Sequence, residues 1–311
     1  MSKLPYRKGY LSVGDNHKLY YEAYGDKTKA PILFLHGGPG AGFSESSKFY
    51  FNFRKQHVIF FDQRGAGKSK PFASIKHNTT QKLVSDINKI IAHFKLEKVM
   101  LFGGSWGSTL ALCYAIAHPE KVSAMVLRGI FLGDKKSTDY YVRGGVKEYY
   151  PDVWARFISH VPKSEQKNPL NYYFQQLIGK DKKRAQFFAY EWSYYELSLC
   201  FMKYSPKIVK AALGTYPLVS LATLEAHYIK NNNFISEGYI LKNAKRIADI
   251  PTIIVQGRHD VVCPPWQAYE LSKKLKNARL TFMNSGHSST LAMKKKLKRE
   301  VEKMCMKVQE K

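Results

Sequence analysis

Leu101-Phe102-Gly103-Gly104-Ser105-Trp106-Gly107-Ser108 is the stretch that decides the fold of this chain. Lys98 to Phe102 (Lys-Val-Met-Leu-Phe) reads as a short buried strand, and Ser108 to Ala117, rich in Ala and Leu, reads as a helix. Between them, Gly103-x-Ser105-x-Gly107 has the spacing of a nucleophile elbow, in which a strand turns sharply into a helix. Such a turn forces its middle residue into strained backbone, and glycines on either side allow a close approach that a Cβ would block. The serine is thereby lifted from the core beside a helix N-terminus, which favours negative charge. The five-letter pattern alone would also fit an ordinary small-residue loop. The flanking strand and helix are the context that favours the elbow.

Strand-like and helix-like segments alternate on both sides of the elbow. Upstream, Gly9 to Tyr24 alternates around the turn Gly14-Asp15-Asn16, which predicts an antiparallel hairpin at a sheet edge. Pro31 to Leu35 and Val58 to Asp62 are apolar strands that run into His36-Gly37-Gly38-Pro39-Gly40 and Gln63-Arg64-Gly65-Ala66-Gly67-Lys68-Ser69. Thr79 to Phe94 has helical period, with Leu83, Ile87, Ile90 and Ile91 on one face. Downstream, Val122 to Leu127, Pro251 to Val255 and Ala278 to Phe282 are further strands. This alternation predicts an α/β fold with a mostly parallel, doubly wound sheet covered on both faces. From about Asp134 to about Lys245 the chain is rich in Tyr, Phe and Trp at helical spacing, which predicts a helical cap inserted between two strands. The expected division is therefore residues 1–133 and 246–311 as a catalytic domain and 134–245 as the cap. Thr290 to Lys311 reads as a basic amphipathic helix docked on the sheet.

Composition bounds the class. With 311 residues, 44% hydrophobic and 14% aromatic, the chain can bury a large core. Met1 to Gly9 is polar and basic, so no secretory signal is expected. No apolar run approaches the length of a bilayer span. Four scattered cysteines without metal-ligand spacing read as free thiols in a reducing cytoplasm. The formal charge of +26 could signify binding to nucleic acid. The lysines are spread along the chain, however, and no zinc-finger, RNP or helix-turn-helix pattern accompanies them. A solvated basic surface is expected instead, with no specific nucleic acid and no membrane as partner.

The chemistry follows from chain order. A serine hydroxyl needs a base to take its proton and a third group to orient that base. In an elbow fold these follow as Ser, then Asp or Glu, then His. Asp260 lies just beyond the strand ending at Val255, and His287 just beyond the strand ending at Phe282. Both stand at carboxyl ends of strands, where sites of open α/β sheets gather. Alone, Asp260 would be a loop cap and His287 a surface histidine; the shared order with Ser105 argues for a triad. His259 competes with His287 but shares the loop of Asp260, which suits it poorly to lie between acid and nucleophile. The Trp106 amide and an amide of the His36–Gly40 loop are the expected oxyanion donors, Gly38 first and Gly37 in reserve. Asp62, Gln63 and Arg64 read as a structural turn bracing the loops. Gly65-x-Gly67-Lys68-Ser69 lacks the four residues between glycines of a phosphate loop, so nucleotide binding is not expected.

His36-Gly-Gly-Pro-Gly40, Asp62-Gln-Arg-Gly65, Gly103-Gly-Ser-Trp-Gly-Ser108, Arg128-Gly-Ile-Phe131 and Gly257-Arg-His-Asp260-Val-Val-Cys-Pro264 together resemble the prolyl iminopeptidase family of α/β-hydrolases. The likeness runs from about Lys8 to Met293. It implies a serine exopeptidase that releases N-terminal proline from peptides, with no metal and no cofactor, as a monomer or small homo-oligomer. It also implies that Glu196, in Trp192-Ser-Tyr-Tyr-Glu196, and Glu225, in Leu224-Glu225-Ala-His-Tyr228, bind the substrate's cationic amine. Both glutamates could instead be solvated helix charges, although the apolar neighbours of Glu196 weaken that reading for it. By the same resemblance Phe131 and Tyr141 line a slot for the pyrrolidine ring. Ile229 stands where the family commonly has an aromatic residue, which leaves other small N-terminal residues open. Cys263 is expected either near the substrate or as a buried structural thiol. The alternative function is an esterase or amidase on the same scaffold.

Overall fold

Along each central strand, alternate residues enter two different cores. Leu33, Ile59 and Leu101 face one side of the sheet, and Ile32, Val58 and Phe102 face the other. In a computed structural model describing residues 4–309, eight strands form one sheet in the order β1-β2-β4-β3-β5-β6-β7-β8. They are β1 (Arg7–Gly14), β2 (His17–Gly25), β3 (Pro31–Leu35), β4 (His57–Phe61), β5 (Val99–Ser105), β6 (Val122–Ile130), β7 (Thr252–Gly257) and β8 (Ala278–Met283). The hairpin β1–β2 is antiparallel and β2 runs antiparallel to β4; every other pairing is parallel. Gly14, Asp15 and Asn16 all have positive φ, which closes the hairpin as expected.

Helices α1 (Thr80–His93) and α2 (Trp106–Ala117) cover one face. Thr79 caps α1, its Oγ1 accepting the Lys82 amide, and Leu83, Ile87, Ile90 and Ile91 are buried. The other face is covered by α11 (Leu291–Gln309), which inserts Met293, Leu297 and Val301 beside Phe102. Burial of each such side chain contributes about 1.5–3 kcal/mol. The basic start Met1–Lys3, and Glu310 and Lys311 at the end of the predicted last helix, lie outside the described residues.

Between β6 and β7 the chain builds α3 (Lys135–Val142), α4 (Pro151–Ser159), α5 (Pro169–Leu177), α6 (Lys182–Cys200), α7 (Pro206–Leu213), α8 (Leu218–Lys230) and α9 (Tyr239–Asn243). The aromatic richness of this segment makes a separate core. Phe157 stacks on Tyr173 and on Tyr195, each with centroids 4.3 Å apart. Ile240 in α9, with Ala244 and Ile247 after it, packs instead in the α2 core of the sheet. One more helix, α10 (Trp266–Lys274), joins β7 to β8. Among the described residues no helix is long and apolar enough to cross a membrane.

Chain order reverses between β3 and β5, the topological switch point at which open sheets form their crevice. Ser105 is the last residue of β5, and the loops leaving the carboxyl ends of β3, β7 and β8 carry Gly38, Asp260 and His287 respectively.

Candidate active site

Ser105 ends β5 and precedes the first residue of α2, so the reversal is completed in one residue with φ 57° and ψ −131°. The helix thus starts two residues before the predicted Ser108. A Cβ at Gly103 would stand 2.3 Å from the Gly107 carbonyl oxygen, and one at Gly107 2.1 Å from the Leu35 carbonyl oxygen. No side chain is tolerated at either place, which is why the turn needs both glycines.

His287 bridges to its partners from the opposite wall. Its Nε2 lies 3.0 Å from Ser105 Oγ, and its Nδ1 2.9 Å from Asp260 Oδ2. With the Nδ1 proton donated to the carboxylate, Nε2 is left to accept the serine proton. Asp260 is fixed in turn: Oδ1 accepts the amides of Val262 and Cys263 at 3.0 and 2.8 Å, and Oδ2 accepts Gln256 Nε2 at 3.2 Å. Asp260 and His287 are both buried. His259, the competitor, is exposed.

The predicted turn after β4 holds the loop after β3 and the start of α2 together. Gln63 donates from Nε2 to the His36 carbonyl and accepts the Trp106 indole N–H, at 3.0 and 2.9 Å. Its own amide donates to His36 Nε2. Burial drives the His36 pKa down to about 4, so this ring stays neutral and can accept. Asp62 braces the same turn through the Phe43 and Lys68 amides, with burial raising its pKa to about 6.

Above Ser105 lies a small pocket. Gly38, Trp106, Phe131, Tyr141, Glu196 and Glu225 all line it together with Ser105, so every residue named for oxyanion, amine or ring binding meets in one space. The two glutamates are only 8% exposed each, which removes the solvated-charge alternative. Glu225, on α8, accepts the Trp192 indole N–H on Oε2 at 2.7 Å and hydrogen-bonds Glu196, on α6. Burial, and then the Glu196 carboxyl beside it, push the Glu225 pKa well above the carboxylate range. Raised in this way, the Glu225 carboxyl favours its protonated form, which can donate to the Glu196 carboxyl beside it. Glu196 Oε2 and the Tyr141 hydroxyl find no hydrogen-bond partner among the described residues. A larger cavity at the opposite end of β7 and β8, lined by Lys276, Arg279 and Lys303, is remote from this chemistry.

Comparisons with known proteins show the family. The sequence profile of the α/β hydrolase fold matches residues 30–291. A proline iminopeptidase of Arabidopsis thaliana is 40% identical over 288 residues, covering 92% of this chain and 76% of its own. The probable proline iminopeptidase of Leptolyngbya boryana is 39% identical over 286 residues, covering 91% and 89%. The chain belongs to the proline iminopeptidase family. An esterase from Exiguobacterium antarcticum, 21% identical, superposes with a TM-score of 0.66 over 96% of this chain and all of its own, a likeness of fold alone.

Several side chains at this family site were not singled out by sequence. Trp192 reads in the sequence only as a neighbour of Glu196, yet its indole fixes Glu225. Gln256 accepts the Ile130 amide and donates to Asp260 and to the Cys263 carbonyl, tying β6 to the acid loop. A polar residue inside an otherwise apolar strand was the available signal. Arg128 donates to the His287 carbonyl at 2.9 Å. Tyr228 and Val262 complete the apolar lining with Ile229, and Asn233 adds an amide. Cys263 lines the pocket too. It is buried, as a structural thiol would be, and stands beside the Ser105 side chain.

Proposed function

We propose that this chain hydrolyses the bond after an N-terminal proline, as a serine exopeptidase acting through a prolyl-enzyme. The observation that carries this reading is the pair of buried carboxyls, Glu196 and Glu225, lining the pocket of an elbow serine. A simple apolar acyl pocket has no use for two buried acids, whereas a cationic amine does. The family membership points the same way.

Ser105 Oγ attacks the prolyl carbonyl as its proton passes to His287 Nε2. The amides of Gly38 and Trp106 hold the oxyanion, and removing one such donor typically costs about 10²–10³ in rate. Asp260 steadies the imidazolium through Nδ1. The imidazolium then gives its proton to the departing peptide amine, the C–N bond breaks, and the prolyl ester remains on Ser105. Water, deprotonated by His287, adds to that ester, and the serine leaves with the proton. Meanwhile the substrate ammonium lies against Glu196 and Glu225. Its charge favours Glu225 as a carboxylate, and the proton that burial had held on Glu225 goes to solvent.

Phe131 and Tyr141 form the slot for the ring. Residues 1–133 and 246–311 act as the catalytic domain under a cap of 134–245. The four buried thiols suit a reducing, cytoplasmic setting with peptides as the partners. Proline β-naphthylamide should be cleaved, its N-acetyl form and Ser105→Ala should be inert, and Glu196→Ala and Glu225→Ala should each lose most activity. Unchanged turnover in both glutamate variants overturns the amine assignment. Short acyl esters outpacing proline arylamide would favour the esterase alternative.

A further inference from the structure

Tyr141 carries more polarity than a ring slot requires. Its side chain lies at the C-terminal end of α3, and its hydroxyl is buried without a hydrogen-bond partner among the described residues. Phenylalanine would pack as well against a pyrrolidine, so the oxygen costs desolvation and returns nothing in the free protein. It cannot swing out to water. The ring is hemmed in by Trp192 and Tyr195, with centroids 6.5 and 5.3 Å away, and the Tyr195 hydroxyl donates to the Tyr141 carbonyl at 2.6 Å. The same pocket contains the other orphaned oxygen, Glu196 Oε2. Two unpartnered oxygens on different helices, sharing one small pocket, call for a donor that reaches both.

The proton count of the substrate amine supplies that donor. A prolyl ammonium is secondary and has two N–H groups; an ordinary aminoacyl ammonium is primary and has three. Glu196 and Glu225 suffice for the first but leave one N–H of the second unpaired in a dry pocket. We propose that the Tyr141 hydroxyl is the third acceptor, so that the site takes small primary N-terminal residues, alanine first, besides proline. This rests on the peptidase reading above. Tyr141 stays neutral there, because burial and the nearby carboxylates hold its proton firmly, so a lone pair is free for the ammonium. Ile229, Val262 and Phe131 offer a smooth apolar wall to a methyl side chain and set no requirement for a closed ring.

The test compares the wild type with Tyr141→Phe on the arylamides of proline, alanine and N-methylalanine. N-methylalanine has the size of alanine but the two N–H groups of proline. In the variant, kcat/KM for alanine should fall about tenfold or more, the loss expected for one hydrogen bond to a charged group. Whatever the altered slot costs all three substrates alike, the ratio of alanine to N-methylalanine turnover should fall about tenfold, since N-methylalanine does not use the third acceptor. Equal losses on all three substrates, or none on alanine, overturn the proposal. Retained proline activity shows that the variant folds. Absence of proline turnover in the wild type would instead defeat the peptidase reading, so the two failures are distinguishable.

Discussion

Glu225→Gln should make the protein more stable and less active at once. In the free protein Glu225 is held protonated by burial and by Glu196, while in the unfolded chain it ionises near 4.5. A carboxyl whose folded pKa lies above its unfolded one stabilises the fold below the unfolded value, and that contribution is lost as pH rises towards the folded one. The slope for one proton is about 1.4 kcal/mol per pH unit, so between pH 4.5 and 7 the penalty is at most about 3.4 kcal/mol. Glutamine keeps the geometry of the protonated acid: its oxygen accepts the Trp192 indole and its NH₂ donates to Glu196, without a proton to lose. The variant should therefore match the wild type near pH 4.5 and gain on it up to pH 7, by a few degrees in Tm. Turnover should move the other way, because the substrate ammonium loses one of its two carboxylates. A fall of about 10²-fold in kcat/KM on proline β-naphthylamide is expected for a desolvated charged contact. Paired melting curves and initial rates at pH 4.5 and 7 decide the matter. A stability difference that does not change with pH would mean that Glu225 is ionised in the free protein. Undiminished turnover would mean that it meets the amine as an acid and not as a carboxylate.

Two further substitutions probe the supports of the site. Asp260→Asn should lower kcat by about 10³–10⁴-fold, since an amide can neither stabilise the imidazolium nor enforce the Nδ1 proton; a loss below about tenfold would remove Asp260 from the triad. Trp192→Phe removes the 2.7 Å bond to Glu225 while keeping an aromatic ring in the cap. It should raise KM for proline arylamide about tenfold with kcat nearly unchanged, and a fall in kcat alone would show that the indole does not act through amine binding.

Much of the sheet was legible because each central strand is a short apolar run closed by a charged or glycine-bearing loop. Where the boundaries moved, the cause is local. Trp106 and Gly107 carry no helical signal of their own, yet the strain taken by Ser105 lets α2 begin directly after it. The strand β6 reads as finished at Leu127 because Arg128 and Gly129 interrupt the apolar run. It continues to Ile130 since the amide of that residue is met by Gln256 and its partner across the sheet is Ser105. A charge inside a strand is tolerated there because the Arg128 guanidinium reaches the carbonyl of His287.

The meeting of Ser105, Asp260 and His287 could be read from order alone, since each follows a recognisable strand and a sheet brings its carboxyl ends together by construction. Nothing comparable constrains a cap. Glu196 and Glu225 came from resemblance, and that they touch depends on α6 and α8 packing side by side, which no spacing within either helix reveals. Trp192 is further from reach still, because its value lies in one bond across 33 positions of chain. The Tyr141 hydroxyl marks the limit of sequence reading: residue type says that an O–H is present, whereas its meaning comes from the lack of any partner for it in the folded cap. An unpaired atom is a property of a three-dimensional neighbourhood. The sheet of this protein is therefore readable in one dimension and the cap's polar neighbourhoods are not, because the partners an oxygen finds there depend on how helices from distant stretches pack.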